Sequence, residues 1–150
     1  MATFDCSGLN ALGSQLESYA DDLDEMTDQM LIEGGKIITE EWKNAAELAG
    51  HRDNSHGGKH MIDAIAAAPP ETDKYGYRKV VVFPRGKYAD RRDKYGAKIS
   101  FAKVAAILNY GRSDLQGSDF VKKAEARAAE RLDKLQQQTM DEYTKQKGLT

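Results

Sequence analysis

The sequence predicts an α+β domain, a small antiparallel sheet packed against long helices near the N- and C-termini. Three observations carry this. Apolar residues recur at steps of three and four over much of residues 9–49 and again from Val121 to Tyr143, the periodicity of amphipathic helices. Between them, Tyr75, Tyr77, Val80, Val81, Val82 and Phe83 gather β-branched and aromatic side chains in a run closed by Pro84 and Gly86, which reads as a strand. The elements come as helix, then strands, then helix, and such blocks favour α+β over a strict βαβ alternation.

Taken in order, residues 4–7 read as a short extended lead closed by Gly8. Leu9, Leu12, Leu16, Tyr19 and Leu23 then form a helical stripe, with a bend expected at Asp21-Asp22. Met26, Met30, Ile37, Ile38, Trp42, Ala45 and Ala49 continue it as a long helix from about Asp22 to about Leu48, stopped by Gly50. Gly34-Gly35 falls inside that stripe. Two glycines cost a helix interior roughly 1–2 kcal/mol relative to alanine, so the helix either kinks there or admits another backbone closely. Residues 51–58 are polar and glycine-rich, a loop. Residues 59–68 read as a short helix with Met61, Ile62 and Ile65, ended by Pro69-Pro70.

The run at 80–83 is the first strand, and Ala97 to Phe101 a weaker second one. Between them Arg85 to Gly96 is a polar, basic connection, either the long tip of a β-hairpin or a mobile loop that orders on assembly. A short helix at 104–108 runs into Asn109-Tyr110-Gly111. Ser118 is a suitable N-cap for the last helix, whose stripe is Val121, Ala124, Ala128, Leu132, Leu135, Thr139 and Tyr143. No internal repeat and no domain linker is apparent.

Composition suits one core, with residues 1–150 as a single domain: 150 residues, 40% hydrophobic and 31% charged. Aromatic residues make up only 8%, which points to thin layers of helix packing. Cys6 is the single cysteine, so no internal disulfide forms and a reducing compartment of synthesis is expected. No run approaches the roughly 18 apolar residues of a membrane span, and the opening residues lack a secretory pattern. Synthesis in cytoplasm and no membrane partner are therefore expected.

The net charge of −2 hides an asymmetry. Residues 1–50 hold eleven Asp/Glu against Lys36 and Lys43, a balance of −9, and residues 51–150 carry +7. Between Lys74 and Lys103, ten Lys/Arg face only Asp90 and Asp93. Either these are solvated faces, or the acidic face (Asp21, Asp22, Asp24, Glu25, Asp28) of one subunit meets the basic segment (Arg85, Lys87, Arg91, Arg92, Lys94, Lys98) of its neighbour. Such complementarity sets register and partner choice.

The residues supply no recognisable active site, and no cofactor or metal is expected. His51, His56 and His60 lie near Asp53, but Gly57-Gly58 spoils the helical i, i+4 spacing that would converge two imidazoles on a metal. Gly57-Gly58-Lys59 lacks the remainder of a phosphate loop. Cys6 has no neighbouring histidine in sequence. Glu40 and Glu41 are adjacent on a helix, where side chains diverge, and so do not form the facing pair that acid–base chemistry needs. Nucleic-acid binding is the stronger alternative: the basic segment mixes cations with Tyr88 and Tyr95 as phosphate-and-stacking surfaces do. The acidic first third opposes it.

Several short motifs, in this order, resemble one family. These are the aromatic, Gly-Leu and spaced leucines of 4–16, the long helix to Leu48, the segment 57–65, the strand after Pro70, Tyr110-Gly111, and Gly117-Ser118-Asp119-Phe120. The chain is similar in this respect to the tail-component, or neck (head–tail connector), proteins of long-tailed bacteriophages. It departs from them at 57–65, where the usual Thr and Ser are absent, and at Asn109, which replaces an acidic residue. The resemblance implies a non-enzymatic virion protein of the neck or tail, assembled in the host cytoplasm. It implies a homo-oligomeric ring between portal and tail that contacts other connector and tail proteins. That ring forms part of the channel through which DNA passes without sequence-specific binding. A tail-completion or tail-terminator subunit is the alternative within the particle. A small cytoplasmic DNA-binding protein using the basic loop is the rival from another class. Tyr110, Gly111, Gly117 and Phe120 are the expected structural turn: Gly111 takes φ > 0, Tyr110 buries its ring, and Phe120 pins the last helix onto the strands.

Overall fold

The first helix is longer than its stripes suggest. The computed structural model describes residues 7–52 and 58–148, with backbone alone at 7–13, 15 and 16; residues 4–6 of the expected extended lead lie outside the described residues. Helix α1 spans Ser7–Leu48, 42 residues, which at 1.5 Å per residue is about 63 Å. It passes without a break through Gly8 and through Asp21-Asp22, where a bend was expected. Asp21 is exposed and Asp22 half-buried, so neither carboxylate forces the backbone open. Helix α3, Phe120–Gln146, runs antiparallel beside it. Phe120 meets Trp42 edge-on at 6.3 Å between ring centres. Arg131 bonds Glu40 and Glu41, each at 2.7 Å, and Lys147 pairs with Asp22.

Two hairpins and a short helix fill the connection. Strands β1 (Ile65–Ala67) and β4 (Val82–Pro84) pair antiparallel, and so do β2 (Glu71–Thr72) and β3 (Arg78–Lys79). These are two ladders of one hairpin. Its register slips by one residue opposite Pro69-Pro70, which carry no N–H to donate. Strands β5 (Lys87–Arg92) and β6 (Lys98–Ser100) form the second hairpin, with a register shift between Lys87 and Arg92. Helix α2 covers Phe101–Tyr110, capped by Ser100, whose hydroxyl accepts from the Lys103 N–H at 3.2 Å. A minimal hairpin, β7 (Gly111–Arg112) with β8 (Leu115–Gln116), leads to α3.

The α+β class holds. The two expected strands do not pair with each other, however, because each finds its partner in its own hairpin, and Phe101 begins α2. The helix expected over 59–68 is also replaced, by turns at 61–64 and then β1. A helix this short nucleates poorly, the residue before Pro69 is biased to extended backbone, and β4 supplies the hydrogen bonds. Arg52 holds this crossing, bonding Glu47 at 2.6 Å and Asp63 at 3.0 Å.

The core gathers where the C-terminal end of α1, the N-terminal end of α3, α2 and the hairpin bases converge. Ala45, Ala46, Met61, Ile62, Ile65, Tyr88, Phe101, Phe120 and Ala124 are buried there. Further along α1, Gly34 and Gly35 lie 100° apart on the helix and open two faces. Gly34 faces α3, where an added Cβ would lie 3.4 Å from Leu132 Cδ2. Gly35 faces the first hairpin, where a Cβ would stand 2.9 Å from Val80 Cγ1 and 3.0 Å from Ala67 Cβ. Close approach, and not a kink, is the use of the glycine pair.

Substitution should separate the two glycines. Gly34→Ala fits at ordinary contact distance and gains up to about 1 kcal/mol of helix propensity. Gly35→Ala gains the same but drives a methyl into the stiff, β-branched Val80, at an overpacking cost of about 1–3 kcal/mol. Denaturant melts should show Gly34→Ala neutral to stabilised and Gly35→Ala destabilised; equal midpoints would contradict this packing.

Candidate assembly surfaces

One edge of α1 carries a carboxylate stripe. Glu17, Asp21, Asp24 and Asp28 are spaced i, i+4, i+7 and i+11, so at 100° per residue they fall on one face. The chain itself answers part of this stripe. Arg78, at the end of the first hairpin, bonds both Asp28 oxygens, at 2.6 and 2.5 Å. That hydrogen bonding, with the Asp24 charge nearby, raises the Arg78 pKa. Asp22 lies off the stripe and is held by Lys147. Asp21, Asp24 and Glu25 are exposed.

The basic segment is not the tip of a hairpin between the two expected strands; it carries β5 and the tip of the second hairpin, with β6 as its partner. Arg85 lies over the Phe83 ring at 5.0 Å and Arg91 over the Tyr88 ring at 4.6 Å. Arg92 donates to the Gly96 carbonyl at 2.8 Å and so braces its own turn. Lys87, Lys94 and Lys98 are exposed. Tyr88 is not available for stacking on a ligand: it is buried against Phe101 at 4.6 Å. Tyr95 is 81% exposed. Glu40 and Glu41 do not diverge as expected, because Arg131 draws both onto one guanidinium.

The two hairpin tips are built from a repeated tetrapeptide, Asp73-Lys74-Tyr75-Gly76 and Asp93-Lys94-Tyr95-Gly96, so the expectation of no internal repeat fails at this short scale. In each, the Asp Oδ1 accepts from the N–H groups two and four residues on, at 2.8 and 3.0 Å in the first and 2.9 Å for both in the second. Gly76 and Gly96 take φ of 86° and 83°, a region glycine enters without steric cost. The lysine lies over the tyrosine ring in both, at 4.8 and 4.9 Å. Each tip therefore presents an ordered Lys–Tyr pair to solvent.

The turn cluster differs from expectation in two residues. Gly111 takes φ of 82°, as expected, and a Cβ on it would meet the Leu115 carbonyl oxygen at 2.5 Å. Gly117 is equally enclosed, its Cβ position lying 2.5 Å from the Asn109 carbonyl oxygen. Tyr110, expected to bury its ring, is 78% exposed, and Asn109 is the buried residue at 4%. The buried stripe of α2 is Phe101, Ala105 and Asn109, and Tyr110 falls 100° away from it. Asn109 Oδ1 accepts the Val121 N–H at 2.9 Å and so caps α3 from another helix. Ser118 is consequently not the N-cap. Asp119 holds that position with φ of 51° and no side-chain cap bond, while the Ser118 hydroxyl donates to the Leu108 carbonyl at 2.9 Å. Phe120 is fully buried, with its ring edge-on to Trp42 and His51.

Among the described residues, His51 and Ser118 are the nearest approach to a nucleophile and base, 2.6 Å apart. The serine proton goes to Leu108, so His51 Nε2–H donates to Ser118 and the pair acts as a clasp between α1, α2 and α3. Asp53, His56 and Cys6 lie outside the described residues. Comparison of the chain with protein-family models, with curated proteins and with solved structures finds no match. Among the described residues, no helix is long and apolar enough to cross a membrane.

Two outcomes follow from these contacts. Asn109→Ala removes the α3 cap and should cost about 1–2 kcal/mol, read by chemical denaturation; Asn109→Asp keeps the acceptor at a helix N-terminus and should cost less. Burial, and then the charge of His60, lower the His51 pKa below 6.5. As pH falls through 6.5 the unfolded chain takes up this proton before the folded one, so stability present above that pH is lost below it. His51→Gln should flatten this part of a stability-versus-pH profile; an unchanged slope would assign the pH dependence elsewhere.

Proposed function

We propose that this chain is a non-enzymatic subunit of the head–tail connector of a long-tailed bacteriophage, closing into a ring between portal and tail. One observation carries the reading: a single subunit holds two unlike surfaces of opposite charge on well-formed elements, the carboxylate stripe of α1 and the cation-rich second hairpin. A ring requires such a heterologous contact, in which one surface meets a different surface of the next copy. The order of motifs supplies the phage context. Passage of DNA suits an acidic helix that repels the duplex.

Charges alone do not hold such a ring, since exposed pairs contribute only about 0.2–1 kcal/mol each. Apolar contact has a candidate place. A hollow of about 190 Å³ is lined by Trp42, Phe83, Pro84, Ala102, Ala106 and Tyr110 among others, with Phe83 and Tyr110 exposed at its edge. Exposed aromatic side chains around a hollow are typical of interface centres. A tail-terminator subunit would use the same surfaces, and binding of the ring to isolated tails in place of portals would identify it.

The rival reading, a DNA-binding protein, draws on exposed Tyr95 with Lys87, Lys94 and Lys98. Negative-stain images and sedimentation of the full chain should show ring-shaped particles and little affinity for duplex DNA. A persistent monomer whose DNA binding falls steeply between low and physiological salt would support the rival instead. Tyr110→Ser should leave the melting midpoint of the subunit nearly unchanged, within about 0.5 kcal/mol, and weaken assembly. Full assembly of this variant would remove the hollow from the interface.

A further inference from the structure

The repeated hairpin tip comes with an example of how it docks. In the first hairpin, the residue five positions after the turn aspartate is Arg78, which grips Asp28 on α1 of its own chain. The residue at the same place in the second hairpin, five positions after Asp93, is Lys98, a cation at the same point of the same turn. The tips match further: the turn aspartates make the same pair of hydrogen bonds, and Tyr75 and Tyr95 are 72% and 81% exposed with a lysine over each ring. One tip is docked on a carboxylate through its cation. In the other, Lys94, Tyr95 and Lys98 stand exposed.

The stripe that receives the first tip continues past it. Asp24 and Asp21 lie one and two turns before Asp28 on the same face, both exposed. Asp21 is about 10 Å along the axis from Asp28, a spacing at which two β-layers can lie side by side. We infer that the second hairpin tip docks on α1 of a second copy of this chain, with Lys98 and Lys94 on Asp21 and Asp24 and with Tyr95 against the helix, beside that copy's own first hairpin. Each α1 then carries two equivalent tips, one from its own chain and one from its neighbour. The tyrosine supplies contact area at low conformational cost, and the cations set register. The contact is heterologous, so it propagates from copy to copy. It rests on the ring reading above but specifies residues that the ring reading leaves open. It also removes one residue from each of the two expected faces, since Asp22 is held by Lys147 and Arg92 by its own turn.

A mixture of isotopically heavy and light full-length chains, treated at high concentration with a carbodiimide that joins carboxylates to amines, tests this directly. Mass spectrometry should find heavy–light peptides joining Lys94 or Lys98 to Asp21 or Asp24. Lys94→Glu with Lys98→Glu should weaken self-association about tenfold, and Asp21→Lys in the same chain should recover part of it while Asp28 still holds Arg78. These side chains are exposed, so thermal melts should stay unchanged. Absence of heavy–light pairs at these residues, or undiminished association of the reversed chain, overturns the docking. So does a reversal that abolishes duplex-DNA binding and leaves association intact, which would assign the tip to nucleic acid. Rings without these cross-links would leave the connector reading in place and remove the docking; cross-links without closed rings would do the opposite.

Discussion

Everything else in this fold depends on how closely α1 can be approached. A helix of ordinary side chains keeps its neighbours 8–10 Å from its axis. At Gly34 and Gly35 that limit is relaxed on two faces at once, toward α3 on one side and the first hairpin on the other. Both glycines are buried, and the propensity they forfeit, about 1 kcal/mol each against alanine, is offset by packing that no larger residue at 35 would permit. Alanines at 45 and 46 continue the close approach to the core. With the hairpin seated against the helix, Arg78 reaches Asp28; with α3 seated, Arg131 reaches Glu40 and Glu41 and Lys147 reaches Asp22.

The other end is organised by polar side chains working between elements. Asn109 of α2 caps α3, Ser118 ties back to the last turn of α2, and His51 beyond α1 donates to Ser118. Between them the chain makes the minimal hairpin at 111–116, and Gly111 and Gly117 are required because carbonyl oxygens occupy the space of their missing Cβ atoms. The buried Phe120 ring sits within this polar frame. Such a network is stable only when each buried group finds its partner, which makes this junction a single unit and not a set of separable contacts.

The helices were legible in the sequence because their apolar residues repeat at helical steps, and Gly111 and Phe120 because their residue types narrow what they can do. The 59–68 segment was not legible: its extended form comes from pairing with Val82–Pro84, a partner well removed in sequence. Tyr110 and Asn109 were exchanged for a related reason. Ranking by hydrophobicity puts the aromatic inside, whereas the turn of α2 and an acceptor for the Val121 N–H put the amide there. Of the surfaces, the opposite charges of the two chain halves were visible in composition. The prior use of Asp28 by Arg78, fifty residues away, and of Asp22 by Lys147 was not. The repeated Asp-Lys-Tyr-Gly was plain in the letters, but its meaning needed the hydrogen bonds that make both copies the same turn.

The length of α1 has a mechanical consequence. Its anchors run from Ala46 and Ala45 in the core, through Gly34 and Gly35, to Asp22 under Lys147; the turns from Ser7 onward run past that last anchor. The projecting part is therefore a lever with its fulcrum at Asp22. From Asp22 to Ser7 is about 22 Å at 1.5 Å per residue, so each degree of tilt at the fulcrum swings the tip by about 0.4 Å. A shift of a few degrees at the end of the helix pair would thus be magnified into a displacement of an ångström or more at the start of α1.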